Sequence, residues 1–371
     1  MFMSLPELDK KAKEYYYSDQ LDKALFCYAQ AFIQYPNMGL AYSNYGNLLR
    51  ESGYPERAYK FIEMAIEINP DERIPPFNLA VAHLAAGDLE KGWELFEARW
   101  RFKHHEHILL QYEKPRWEGQ DVTGKTVAVL CEEGDGDNIQ FIRFIKHVEE
   151  LGATVIIQTE PQLKELFTNS FNNLVIDNTE ELPEHDYWIP ILSLPKLLKI
   201  TYENFPVSEQ YITPNKQPKW KKILGRKTKK RIGFCWRGRT KKIPFNVIVD
   251  FIKAHPQYEW ISLQAALDDG EEEVLSQLNV KDYFDNITNW NDTAGLIEHL
   301  DYVISIDTGL IHLAGAMNKT GFLLLDRYRT CWRWLYDRND TPWYSSLTLV
   351  RQKQIQGFVD QFEELSKLLA G

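Results

Sequence analysis

The sequence predicts an α + α/β protein: helical hairpins over about its first hundred residues, then strands alternating with helices in two parallel, doubly wound sheets. Three observations carry that expectation. Small residues and prolines recur with one spacing near the start, Ala24 and Ala58, Ala31 and Ala65, Pro36 and Pro70 each lying 34 residues apart. From Thr126 onward, short apolar runs alternate with helical stretches, which is how a mostly parallel sheet reads. Two of those runs end in glycine-containing turns that lead directly into helices, at Glu132–Asp137 and Asp307–Gly309.

A chain of 371 residues with 44% hydrophobic and 13% aromatic content suits two or three folded domains. Its formal net charge of −10 gives no general attraction for nucleic acid or an anionic membrane. Met1–Lys11 does not read as a signal peptide, and no run of 18 apolar residues follows, so a cytosolic (cytoplasmic) protein without a transmembrane segment is expected. Cys27, Cys131, Cys235 and Cys331 lie far apart without C-x-x-C spacing and read as free thiols.

The 34-residue period defines the first domain. Tyr42, Tyr45-Gly46, Leu49, Gly53, Ala58, Ile62, Ala65 and Pro70 form one unit of two close-packed helices, and Leu8, Ala12, Tyr15, Ala24, Tyr28, Ala31 and Pro36 form another. Leu79-Ala80, His83, Gly87, Gly92 and Phe96 make a weaker third, with His104 in the proline position. Residues 5–104 thus resemble three tetratricopeptide repeats, a family whose concave surface usually holds a peptide or partner protein. A short stack serves either that purpose or as a structural cap or dimer contact. The following Lys103-His104-His105-Glu106-His107 reads as a solvated helix end, and no metal site is expected.

Pro115–Gly124 is turn-rich and marks a linker. Strands are expected at Thr126–Cys131, Thr154–Gln158, Leu174–Ile176 and Tyr187–Ile189, with helices at Asn138–Leu151, Pro161–Phe167 and Leu194–Lys199. Asp137 lies at the tip of the first strand. It either opens the helix, forming a capping box with Gln140, or stands in the crevice where open sheets bind ligands and takes a proton from a hydroxyl.

The second half repeats the plan after a basic run, Lys219–Arg231, which reads as a solvated helix and linker or as a contact with an anion. Strands are expected at Ile232–Trp236, followed by the cationic loop Arg237–Lys242, at Trp260–Leu263, which ends at Gln264, and at Tyr302–Ile306. A helix is expected over Asp292–Leu300. The stretch Asp307-Thr308-Gly309 then opens a helix whose free N–H groups and dipole suit a phosphate, with His312 one turn in. Asp307 and Thr308 serve there either as simple caps or as ligand groups.

The segment from about Trp117 to Gln352 resembles the heptosyltransferase-like glycosyltransferases of family nine, in the branch fused to tetratricopeptide repeats. The likeness is carried by W-E-G-Q-D-V-T-G-K from Trp117, G-D-G-D-N-I-Q-F around Asp137, S-L-Q at Ser262–Gln264, N-D-T-A-G-L-I from Asn291, D-T-G-L-I-H-L-A-G-A from Asp307 and W-R-W-L-Y-D-R-N-D-T-P-W-Y from Trp332. It implies a GT-B pair of Rossmann-like domains and an inverting, metal-independent transfer of a sugar from a nucleotide diphosphate sugar, with no further cofactor. It further implies that Asp137 is the general base and that Gly136, with Gly134 and Asn138 in the same loop, faces the acceptor. Lys241, Thr308 and Gly309 would hold the donor diphosphate beside Asp307 and His312, and Gln264 would line the nucleoside. Where relatives usually read G-E-Q-G-L-G-D, this chain has Cys131–Asp137 with extra acidic residues, which implies a raised pKa for Asp137 or a different acceptor.

The expected domains are repeats at 1–104, a linker at 105–124, an acceptor-side lobe at 125–215, a nucleotide-sugar lobe at 216–355 and a helix at 356–371 that crosses back to the first lobe. Trp332, Trp334, Trp343 and Tyr344 are expected to pack that helix against both lobes. The expected partners are a nucleotide sugar and an acceptor protein or glycan, recruited through the repeats. Two rival functions stand beside this one: a non-catalytic repeat scaffold with a degenerate nucleotide-binding half, and a sugar-nucleotide epimerase or hydrolase.

Overall fold

A computed structural model describes residues 3–370 except 19, 103–111, 207–209, 216, 240 and 355–356. The histidine run at 103–107 lies outside the described residues. Six helices pair as α1 (Leu5–Tyr17) with α2 (Leu21–Gln34), α3 (Gly39–Glu51) with α4 (Pro55–Ile68), and α5 (Ile74–Ala86) with α6 (Leu89–Phe96). The small residues of the period explain the pairing. A Cβ on Gly46 would stand 2.6 Å from the Ile62 side chain, and one on Gly92 2.6 Å from Leu84, so only glycine lets these helices come so close. Pro55 sits in the first turn of α4, where its missing N–H has no partner to lose.

The first α/β lobe is a four-stranded parallel sheet of order β3-β2-β1-β4, with β1 Thr126–Leu130, β2 Thr154–Thr159, β3 Leu174–Asp177 and β4 Tyr187–Pro190. The second is six-stranded and parallel, of order β10-β9-β8-β5-β6-β7, with β5 Arg231–Cys235, β6 Glu259–Ser262, β7 Lys281–Asp282, β8 Tyr302–Ile306, β9 Gly321–Leu325 and β10 Leu347–Arg351. Winding reverses between β1 and β4 in one sheet and between β5 and β8 in the other. Such reversals leave a crevice beyond the carboxyl ends of the strands, and that is where open α/β sheets bind ligands.

The third hairpin of the repeats packs directly on the lobes. One core runs without interruption from Ala80, Leu84, Trp93 and Phe96 through Val127, Phe141 and Ile157 to Leu310, Ile311 and Trp343. Trp117 and Val122, within the expected linker, are 2% exposed and belong to this core.

The C-terminal helix, Phe358–Ala370, departs from expectation. It does not cross back: Phe362, Leu365 and Leu369 pack with Phe251, Trp260 and Ile232 in the core of the second lobe, and Gln361 Nε2 donates to the carbonyls of Leu325 and Val350. Its apolar stripe meets a complementary aromatic face before it can reach the other lobe. The buried tryptophans accordingly have other partners. Trp332 lies edge-on to Trp93 of the repeats at 5.4 Å, Trp343 lies near Phe141 and Phe205, and Trp334 stacks on His312 at 5.2 Å.

The basic run is anchored rather than free. Its helix spans Pro218–Leu224. Lys219 pairs with Asp292, Lys227 with Asp301 and Arg231 with Glu259, tying the run to the second lobe.

Candidate functional site

The two winding reversals face each other across one cleft of about 880 Å³, lined from the first lobe by Gly134–Asp137 and from the second by Arg237–Arg239, Ser262–Ala265, Thr288–Trp290 and Asp307–Leu310. The walls meet through two glycines. A Cβ on Gly136 would lie 2.9 Å from Gly309 Cα and 3.1 Å from the His312 ring, so the backbones at the starts of the helices Asp135–Phe141 and Gly309–Ala316 touch across the lobes. Gly136 therefore serves close packing of the lobes, whatever else approaches it.

The first helix starts earlier than expected. Gly134 is its N-cap, and its N–H donates to the Asp137 carboxylate at 3.3 Å, the half of a capping box that needs no N-cap side chain. Gln140, the expected partner of Asp137 in a box, is buried and instead accepts from Arg333 Nε at 2.5 Å. Arg333 also donates from Nη2 to Asp137 Oδ1. Asn138 is 1% exposed and braces the loop by accepting from the Glu132 N–H at 3.0 Å, so it does not line the cleft. Glu133 adopts φ 62°, an uncommon conformation for a residue with a Cβ.

The acidic residues around this loop are engaged: the extra ones, Glu133 and Asp135, as well as Glu132, which relatives share. Glu132 accepts from Arg99 of the repeats, Nη2 to Oε1 at 2.8 Å, and from the Leu192 N–H. Burial works against the Arg99 charge, but Glu132 and Glu97 more than offset it and raise its pKa. Asp135 accepts from Trp290 Nε1 of the second lobe at 2.7 Å.

On the second lobe, Thr308 is the N-cap of the Gly309–Ala316 helix, but its hydroxyl makes no cap bond and lies 3.1 Å from Ser305 Oγ. Asp307 lines the cleft, with Lys241 Nζ 3.4 Å from its Oδ2. Lys241 does not line the cleft; it stands behind Asp307 beside Asp326, Gln352 and Gln361. Burial alone would raise the Asp307 pKa, but Lys241 and then His312 more than offset it, leaving the carboxyl below its ordinary range. His312 is pushed down to about 4, first by burial and then by repulsion from Arg333, and Nδ1 is hydrogen-bonded to the Tyr344 hydroxyl at 2.9 Å. It is neutral at physiological pH.

Gln264 lines the cleft, yet its amide is used on the neighbouring loop: Oε1 accepts from the Arg237 N–H at 3.0 Å and Nε2 donates to the Arg237 carbonyl at 2.9 Å. Arg237 is bound by Asp268 and Glu271. Arg239, also on the cleft, is exposed.

Thus Asp137, Gly134, Gly136, Gln264, Asp307, Thr308, Gly309 and His312 are brought to one cleft, while Lys241 and Asn138 are set back from it. Sequence reasoning missed Arg333, Trp290 and the Arg99–Glu132 pair. An arginine between two tryptophans was a signal that a buried cation needs a carboxylate, but nothing in the sequence said which one. Among the described residues, no group of three or more His, Cys, Asp or Glu is placed to hold a metal ion, and no helix is long and apolar enough to cross a membrane.

The fold and the cleft define a protein with tetratricopeptide-like helical hairpins joined to a GT-B pair of Rossmann-like lobes. For the paired lobes, a solved structure shares the fold. The glycosyl transferase family 9 protein of Veillonella parvula superposes with a TM-score of 0.55 at 10% identity, covering 68% of this chain and 98% of that one. The Escherichia coli ADP-heptose lps heptosyltransferase II gives a TM-score of 0.47 at 13% identity over 66% of this chain and 98% of that one. In sequence, the chain is 26% identical over 351 residues to Protein FlbA of Caulobacter vibrioides, covering 84% of this chain. The chain spans 58% of that relative's length. No protein-family model matches.

Proposed function

We propose that the protein is a glycosyltransferase moving a sugar from a nucleotide diphosphate sugar to an acceptor hydroxyl, with inversion and without a metal ion. The observation that carries this reading is the opposition, across one cleft, of the Asp137 carboxylate and the N-terminus of the Gly309–Ala316 helix. Asp137 takes the proton of the acceptor hydroxyl as its oxygen attacks the anomeric carbon. The bond from that carbon to the diphosphate oxygen breaks, and the diphosphate leaves with the electron pair. Attack opposite the leaving group inverts the anomeric centre. The developing charge falls near the free N–H groups of the helix, with Arg239 on the same wall, a preorganised arrangement that stabilises the transition state. Arg333 fixes the carboxylate, a positioning role, while its two oxygens keep lone pairs for the hydroxyl. The repeats, whose third hairpin shares a core with the lobes, recruit the acceptor.

A panel of nucleotide diphosphates and nucleotide sugars tests this by thermal shift, since a ligand that binds only the native state raises Tm. The donor so found then enters a transfer assay with wild type and Asp137→Asn. Donor binding kept and transfer lost in the variant is expected; equal transfer by both removes Asp137 from the mechanism. One observation favours a second reading, a nucleotide-binding scaffold: Lys241 is engaged by Asp307 and set back from the cleft. In that case wild type binds a nucleotide but neither transfers nor hydrolyses any sugar of the panel.

A further inference from the structure

Asp137 and Arg333 line two cavities, not one. Behind them, away from the large cleft, lies a chamber of about 380 Å³ whose walls include Phe77 and Val81 of α5, Phe96 of α6, Leu192 of the first lobe and Trp332 of the second. Phe77 and Val81 are four residues apart and so share one face of α5. The third repeat thereby supplies a wall next to the proposed general base. Resting on the transferase reading above, we propose that this chamber receives an apolar side chain of a protein acceptor, beside the serine or threonine hydroxyl that Asp137 deprotonates.

The chemistry of the walls separates a peptide from a saccharide. Arg99, at the chamber, has its guanidinium engaged by Glu132, Glu97, Ser193 and the Phe96 carbonyl. Arg333 is engaged by Asp137 and Gln140. Glu133 also borders the chamber and is itself engaged; apart from it and Asp137, a sugar ring placed here would bring its hydroxyls against aromatic and aliphatic carbon, and each unpaired one costs binding energy. An apolar side chain requires only surface to bury, which Phe77, Val81, Phe96, Leu192 and Trp332 offer. The hydroxyl stays at the boundary, where Asp137 reaches both spaces.

The test uses the full chain and an immobilised array of peptides centred on serine or threonine, with each flanking position varied through Phe, Leu, Ala, Ser and Glu. Wild type is expected to prefer Phe or Leu at one flanking position by about tenfold over Ser or Glu. Val81→Trp, which fills the chamber, should shift the preference to Ala, and Phe77→Ala, which widens it, should restore or strengthen the preference for Phe. Thermal shift by the nucleotide diphosphate should be unchanged in both variants. Indifference of wild type to the flanking residue, or an unaltered preference in both variants, overturns the chamber assignment even where nucleotide binding is intact. Apolar-selective peptide binding that both variants alter, without binding of any nucleotide of the panel, overturns the transferase reading and keeps the side-chain pocket.

Discussion

The corner after β1 and the corner after β8 share one local plan, a buried strand, a short turn and a helix whose start faces the cleft, yet they answer their carboxylates differently. Asp137 is held from across the lobes by Arg333, whereas Asp307 is held within its own lobe by Lys241. A carboxylate whose partner comes from another lobe depends on how the lobes meet; one whose partner comes from its own lobe does not. The first corner is therefore the one tied to assembly. Its loop is gripped by Arg99 of the repeats, by Trp290 and by Arg333, while the second corner is closed by local contacts such as Ser305 with Thr308.

The largest expected effect falls on the first corner. Asp137→Asn should lower transfer by roughly 10²–10⁴-fold while leaving the donor-induced thermal shift intact. Asp307→Asn should weaken the fold by about 3 kcal/mol because Lys241 is left partly buried without its main anion, as urea unfolding would measure, while transfer is kept. Asp137→Asn strands the buried Arg333 in the same way, so the corners are separated by transfer, lost only in Asp137→Asn; equal loss of transfer in both variants would break the contrast.

His312 sharpens it through pH. Its pKa is about 4 in the folded chain, against an ordinary 6.5, so the unfolded chain takes up the proton first as pH falls. Stability is full above about 6.5 and declines down to about 4, by roughly 3 kcal/mol at most. Denaturant midpoints measured across that window should slope in wild type and flatten in His312→Gln; an identical slope would assign it to other groups. The smallest effect is steric. Gly136→Ala should cost about 1–3 kcal/mol by pressing a methyl on Gly309 and the His312 ring, read from urea unfolding, with a loss in the transfer assay larger than the loss in donor-induced thermal shift.

Much of this architecture was legible beforehand. The period of 34 residues named the helical hairpins because close helix packing admits only small residues at fixed places, as Gly46 and Gly92 show. Alternating apolar runs named the two parallel sheets, and the turns at Glu132–Asp137 and Asp307–Gly309 fell at their winding reversals. What escaped was the choice of partners: Lys241 near a proposed diphosphate was found facing Asp307, Gln264 bracing a loop, and the last helix within the second lobe.

The sequence by itself determined the elements and which strand ends carry chemistry, because periodicity, capping and turn formation act between residues a few positions apart. Only the tertiary structure decided that Arg333 meets Asp137, that Arg99 meets Glu132, and that the third repeat walls a chamber at the same carboxylate. These groups lie far apart along the chain. Their pairing is fixed by how the third helical hairpin and the two lobes meet in a shared core, where a buried charge must take whichever opposite charge the packing brings within reach.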